Sequence, residues 1–272
     1  MKAATGCSLL ALALVTMPRI AGAADDDDWQ FDVTPYLWIP NIKVDLRYFD
    51  DLPPGGSTSA SVQAGPRQLD GVLLLDMAAR KGDWSLHGDV IYLGYTIDSE
   101  FTQVNGGNGD VVLVPRTVDL GTRTKIEATL VQLALGYSLV RTPVATADVF
   151  TGLRYVDISG RVHWDFSQDI TGTDFTFEGS GEINARGSYL DGVVGLRGRR
   201  NIGDEQWFLL YYVDVGAGES ELTWQANLGA GYAFGWGDVV LAYRYLNYDE
   251  NSNEFLQEMR MKGPIIGVSF HF

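Results

Sequence analysis

Cysteine, histidine and basic residues are all scarce in this sequence. The only cysteine is Cys7, and only three histidines occur among 272 residues. A disulfide framework is therefore excluded, and so is a thiolate metal site. There are 20 Lys and Arg against 35 Asp and Glu, a formal charge of −15. A chain this acidic lacks the basic surface that nucleic-acid binding requires. No phosphate loop, zinc spacing or dinucleotide motif occurs, so neither cofactor nor metal is expected. Long apolar runs are missing too. The stretch "CSLLALALVTM" (7–17) is broken by Pro18 and Arg19, short of the roughly 20 residues that a spanning helix needs.

That first stretch has the layout of a secretory signal: Lys2, the apolar run, then "AGAA" with cleavage expected after Ala23 or Ala24. Residues 1–24 are read as a signal peptide and 25–272 as one domain. Removing Lys2 and Arg19 leaves 18 basic and 35 acidic residues, a charge of −17. "DDDD" (25–28) reads as a solvated N-terminal tag.

What the sequence has in quantity is glycine, 32 residues, and aromatics, 12% of the chain. With few prolines this favours an all-β protein. Alternation of period two recurs along the chain. "TLVQLALGYSLV" (129–140) sets Val131, Leu133, Leu135, Tyr137 and Leu139 against Gln132, Ala134, Gly136 and Ser138. "LTWQANLGAGYAF" (222–234) and "DVVLAYRYLNY" (238–248) alternate in the same way.

A soluble sandwich and a transmembrane barrel both produce such alternation. Strand length and loop sorting favour the barrel. The strands reach the roughly 9–11 residues that a tilted membrane strand needs. Connections at 80–84, 140–145, 201–207 and 234–239 are short, while 49–66, 98–121 and 164–187 are long. Short turns on one rim and long loops on the other are the barrel pattern. Trp29, Trp84, Trp207 and Trp236 all stand at the short-turn end, the level of a membrane interface. The expected architecture is an antiparallel up-and-down barrel of ten strands, with eight and twelve as alternatives. The strands are placed at 29–48, 67–80, 84–97, 122–140, 146–163, 186–200, 206–216, 221–235, 238–249 and 257–272. An even count puts both termini at the periplasm.

The chain finishes "KGPIIGVSFHF", with Phe272, Phe270, Val268 and Ile266 on one face. This resembles the C-terminal β-signal read by the barrel-assembly machinery. "FDVTPYLW", "GDWSLHGDVIYL", "GYAF" and "YRYLNYDE" resemble opening and closing strands of proteobacterial outer-membrane barrels, the OmpW-like and opacity-type porins among them. The resemblance implies the bacterial outer membrane as location, with lipid and lipopolysaccharide as surroundings and the assembly machinery as a partner during insertion. A monomer is the default.

Strand phase turns His87, Asp89, Arg154, Asp191, Arg197, Asp214 and Arg244 into the lumen, with Tyr95, Gln225 and Asn227. Opposite charges share that face, so pairing is expected, and Asp214 is the partner expected for Arg244. The bland reading is a salt-bridge network filling a small barrel. The functional one is a charged constriction in a narrow passive pore. Surface recognition through the long loops is the second function, and hydrolysis the third. Ser85, His87 and Asp89 superficially offer a triad, but neighbours two apart on one strand do not promise its geometry. His163 with Asp165 resembles the acid–histidine pair of ten-stranded outer-membrane proteases. "NGGNGD" (105–110) reads as a flexible turn, and "TGTDFTFEGSGE" (171–182) as a polar loop or surface hairpin.

Overall fold

The computed structural model describes residues 28–47, 59–64, 66–103, 118–169, 176–203, 206–249 and 256–272. The expected signal peptide and the "NGGNGD" turn lie outside these residues. So does most of the 49–66 stretch.

Every regular element but one short 3-10 turn is a strand. In chain order they are β1 (Gln30–Trp38), β2 (Asn41–Arg47), β3 (Ser59–Ala64), β4 (Leu69–Lys81), β5 (Trp84–Gln103) and β6 (Val118–Arg141). There follow β7 (Ala145–Asp169), β8 (Thr176–Ile202), β9 (Trp207–Gly218), β10 (Leu222–Phe234), β11 (Gly237–Asp249) and β12 (Leu256–His271). All pairings are antiparallel.

These twelve segments make ten barrel strands. β1 and β2 are two halves of the first, both paired to β12. β3 and β4 are two halves of the second, paired to β2 and β1 respectively. The break between β1 and β2 falls at Ile39–Pro40. Pro40 cannot donate a ladder hydrogen bond, and opposite it Gly263 leaves room for the bend. A Cβ on Gly263 would lie 2.2 Å from the Ile39 carbonyl oxygen. The barrel closes where β12 meets β1. There Phe31 and Phe272 exchange both backbone hydrogen bonds, at 3.1 and 2.9 Å. The closed ladder leaves no edge at membrane depth.

The short connections lie on one rim. Gly82 (φ 58°) and Gly203 (φ 62°) supply the left-handed residues in two of these turns. The expected interface tryptophans stand there, each more than half exposed: Trp29, Trp84, Trp207 and Trp236. They sit in aromatic clusters, with Trp29 stacked on Phe31 and Trp236 on Phe234.

Above this rim the outer surface is apolar. Leu133, Leu153, Leu228, Leu241 and Ile266 are all more than half exposed. Their inward neighbours are polar and buried: Gln132, Arg154, Asp214, Gln225 and Arg244. A water-soluble protein has the reverse arrangement. Lipid is the solvent this surface fits.

At their upper ends the strands β5 to β8 run past the expected bounds, to Gln103, Val118, Asp169 and Thr176 against 97, 122, 163 and 186. β6, β7 and β8 have 24, 25 and 27 residues, against 12 and 13 for β9 and β10. Residues 98–103 and 118–121 of the first expected loop, and 164–169 and 176–187 of the second, are continued strand. The reason is a change of polarity at constant phase. On β6 the outward residues Leu133 and Val131 give way to Thr129, Glu127 and Lys125, while the inward ones change from Gln132 to Leu130, Ala128 and Ile126. On β7 the outward face changes from Tyr155 to Asp157, and the inward face from Arg154 to Val156 and Ile158. On β8 Leu190 gives way to Ser188 and Arg186 outside, and Asp191 to Tyr189 inside. The alternation never stops; lipid outside is replaced by water, and the interior becomes an ordinary apolar core.

Candidate functional site: the polar lumen

The same height divides the lumen in two. On each side of it the strands switch character between one inward residue and the next. Tyr36 is followed by Trp38, Asp89 by Ile91, and Arg244 by Leu246. Above the boundary lies a plug. Trp38, Leu93, Tyr95, Leu246, Tyr248, Met259 and Met261 are 0–2% exposed and belong to one apolar cluster. Tyr95 donates a hydrogen bond to the Pro40 carbonyl at 3.2 Å, tying the plug to the bend in the first strand.

Below the boundary are the charges. Arg154 is wholly buried and pairs with Asp214. Its Nε and one terminal nitrogen also reach Gln132 Oε1 at 3.0 and 2.8 Å, and another nitrogen reaches Thr223 Oγ1 at 3.2 Å. Tyr212 donates to Asp214 at 2.5 Å and accepts from Gln132 at 2.6 Å. The planar guanidinium suits this crowded network because its N–H groups point in fixed, separate directions.

Arg244 faces the lumen and pairs with Asp89, not with the expected Asp214. It also donates to Tyr36 Oη at 2.9 Å, and Tyr36 in turn donates to Asp89 at 2.6 Å. Asp214 is occupied by Arg154, and Asp191 instead accepts from the Ser220 backbone N–H at 2.9 Å. Register explains the exchange. Arg244 stands opposite Asn227, one inward step nearer the rim than Gln225, which faces Asp214. The closing strand β1 brings Tyr36 to its other side, toward Asp89.

Closer to the periplasm, Arg80 pairs with Asp148, Arg199 pairs with Asp238, and His271 contacts both Asp32 and Asp238. The Arg199 guanidinium lies 3.4 Å over the Phe208 ring. Sequence reasoning placed His271 in the inner phase of the last strand near the periplasmic end and missed the others. Asp148, Arg199 and Asp238 were in phase with residues it named, so the signal was present. Asp76 and Arg80 were hidden in "VLLLDMAAR", where the apolar run Val72 to Leu75 occupies both faces of β4 and masks the alternation.

Ser85 Oγ and His87 Nε2 are 2.8 Å apart, so two-residue spacing along a strand does bring serine and histidine together. The chemistry nevertheless differs from a hydrolytic triad. A guanidinium nitrogen of Arg197 lies 2.7 Å from His87 Nδ1. Guanidinium can only donate, so Nδ1 accepts and the ring proton sits on Nε2, pointing at Ser85. In that tautomer His87 has no lone pair with which to take the serine proton. Asp89 is engaged by Arg244. His163 lies elsewhere, exposed on the outward face of β7, in register with Arg123 and Glu182. The side chain of Asp165 lies outside the described residues.

Between the charges is a cavity of about 370 Å³, lined from Asp32, Asp238 and His271 at the rim up to Arg244, Gln132 and Gln225. Rim side chains such as Asp32 (44% exposed) remain open to the periplasm. Among the described residues it is a blind chamber beneath the plug.

No protein-family model matches the chain, and no curated protein matches it. Solved structures do. The outer-membrane protease OmpT from Escherichia coli is 11% identical, with a TM-score of 0.51 over 91% of this chain and 97% of that one. The translocator domain of autotransporter NalP from Neisseria meningitidis (16% identical, 89% and 88% covered) superposes at 0.37. Ail, the attachment invasion locus protein of Yersinia pestis (10% identical, 90% and 99% covered), superposes at 0.29. The first of these carries the fold. Together with the lipid-facing belt, it establishes the protein as a β-barrel of the bacterial outer membrane.

Proposed function

We propose that the protein is a closed envelope barrel, which anchors an extracellular blade of sheet in the outer membrane and does not pass solutes. The observation that carries this is the plug. A passive pore needs a continuous hydrated path. Here apolar side chains that are essentially fully buried fill the upper lumen, and an apolar site of that kind stays dry. In this reading the charges below are a packing network, not a selectivity filter. Lipid and lipopolysaccharide surround the belt, and the assembly machinery reads Phe272, Phe270, Val268 and Ile266 during insertion. Reconstitution into planar bilayers tests the proposal. The wild-type protein is expected to give no conductance steps, and steady channel currents would overturn it.

A second reading, recognition at the cell surface, is favoured by the blade itself. The 24–27 residues of β6 to β8 exceed a membrane crossing by enough to stand roughly 30 Å above it. Its outward face is laced by ion pairs, Arg186 with Asp157 at 2.9 Å and Arg161 with Glu182 at 3.6 Å.

A further inference from the structure

Two ionisable groups in the blind chamber form no ion pair among the described residues. Arg197 gives one terminal nitrogen to His87, and its other N–H groups have no hydrogen-bond partner among the described residues. Asp76 forms neither an ion pair nor a hydrogen bond among the described residues, although it lies within electrostatic range of Arg197, Asp89 and Arg244. Both line the cavity. Asp76 stands opposite Asp89 on β4 and β5, one inward position from His87, where the Arg197 guanidinium arrives from β8. A guanidinium and a carboxyl group, neither in an ion pair among the described residues, therefore line one small space.

A third observation points to the same space. Gln225 lines the chamber, is 2% exposed, and its side-chain oxygen has no hydrogen-bond partner among the described residues. A buried acceptor left in that condition is costly unless something donates to it. A simple anion would gain Arg197 but meet Asp76 and the Arg244-paired Asp89. A simple cation would gain Asp76 but meet Arg197. A molecule with both charges on adjacent carbons meets neither objection. Its carboxylate matches the guanidinium fork, and its ammonium can donate to Asp76. The volume is in the range of small-molecule sites.

From this geometry we infer that the periplasmic chamber binds a free α-amino acid, with its carboxylate on Arg197 and its ammonium group on Asp76. The chamber opens to the periplasm, so binding needs no passage through the plug and holds whether or not the barrel conducts. Calorimetric titration of the full detergent-solubilised barrel with L-alanine and L-glutamine, up to about 10 mM, tests it. Each is compared with its methyl ester and its N-acetyl derivative. Losing one charge-assisted contact should weaken binding about tenfold or more. Arg197→Gln should erase the preference for free acid over ester, and Asp76→Asn the preference for free amine over N-acetyl. Arg197→Lys retains the charge and serves if Arg197→Gln does not fold. Absence of binding by both amino acids would overturn the inference. So would equal affinity for acid, ester and N-acetyl forms on the wild-type protein, a comparison that requires no variant. Channel currents in planar bilayers would sink the closed-barrel proposal and leave this one standing.

Discussion

At the scale of the residue, the lumen shows two kinds of buried arginine. Arg154 is 0% exposed and enclosed by Asp214, Gln132 and Thr223, and neither it nor Asp214 lines the chamber. Arg244 borders the chamber, where solvent can reach Asp89 when the guanidinium is removed. Arg154→Leu is expected to cost about 3–5 kcal/mol, because it strands a carboxylate in a dry site. Arg244→Leu should cost less. Arg154→Leu combined with Asp214→Leu should recover most of the loss, since an apolar pair of similar size is often no worse than a buried ion pair. Guanidinium unfolding in detergent measures the three variants. A double variant as unstable as the Arg154 single would show that the pair is not the unit of stability.

Glycine matters at the same scale, because a narrow lumen has no space for two large groups at one level. A Cβ on Gly231 would stand 2.2 Å from the end of the Phe208 ring, the ring on which Arg199 lies. The glycine-rich composition thus reflects room made for inward aromatics. Composition alone could not reveal which glycine faces which ring, since that depends on the register between β9 and β10.

At the scale of the element, alternation made the strands legible, and apolar content made their ends misleading. "TLVQLALGYSLV" declares itself because lipid demands an unbroken apolar face. Within the strand expected at 122–140 the alternation carries on through Ile126 and Lys125 with the faces exchanged, and β6 continues to Val118, so ending it at 122 mistook a change of solvent for an end of structure. The same confusion truncated β5, β7 and β8. The candidate site was legible where a strand carried clean alternation, as at His87, Arg154 and Arg244. It was obscure on β4, and ion-pair partners across the lumen depended on barrel closure, which no local pattern contains. Among the described residues the extended blade also has free edges: above Tyr95 the β5 ladder runs to β6 alone, and above Asp191 the β8 ladder runs to β7 alone. Edge amides that face away from a partner exchange with solvent more readily than paired ones. Hydrogen exchange should therefore be faster across 96–103 and 176–190 than across 84–95 and 191–202. Equal protection would mean that something covers those edges in the membrane-bound protein.

At the scale of the whole molecule, the barrel joins two solvation regimes in one continuous wall. In the membrane its outside is greasy and its inside charged; above the membrane its outside is charged and its inside greasy. In the closed-barrel proposal the join is the barrier to conduction, and its thickness can be tested by graded opening. Trp38 sits at the boundary, its ring centroid 5.2 Å from the Arg244 guanidinium, and its indole Nε1 has no hydrogen-bond partner among the described residues. Trp38→Ser should deepen the chamber without breaching it, because Tyr95, Leu246, Tyr248 and Met261 remain above. Adding Tyr95→Ser and then Leu246→Ser replaces successive apolar layers with groups that can hold water. Each removed side chain should also lower stability, by about 2–5 kcal/mol for a large core residue. Planar-bilayer recordings are expected to stay silent for the single variant and to show discrete currents in the triple. Heat-modifiable migration on gels verifies that each variant is folded. A folded triple variant that stays silent would move the barrier elsewhere, into the residues above the plug. Currents from the single variant would mean that one indole, and not a layered core, holds the lumen shut.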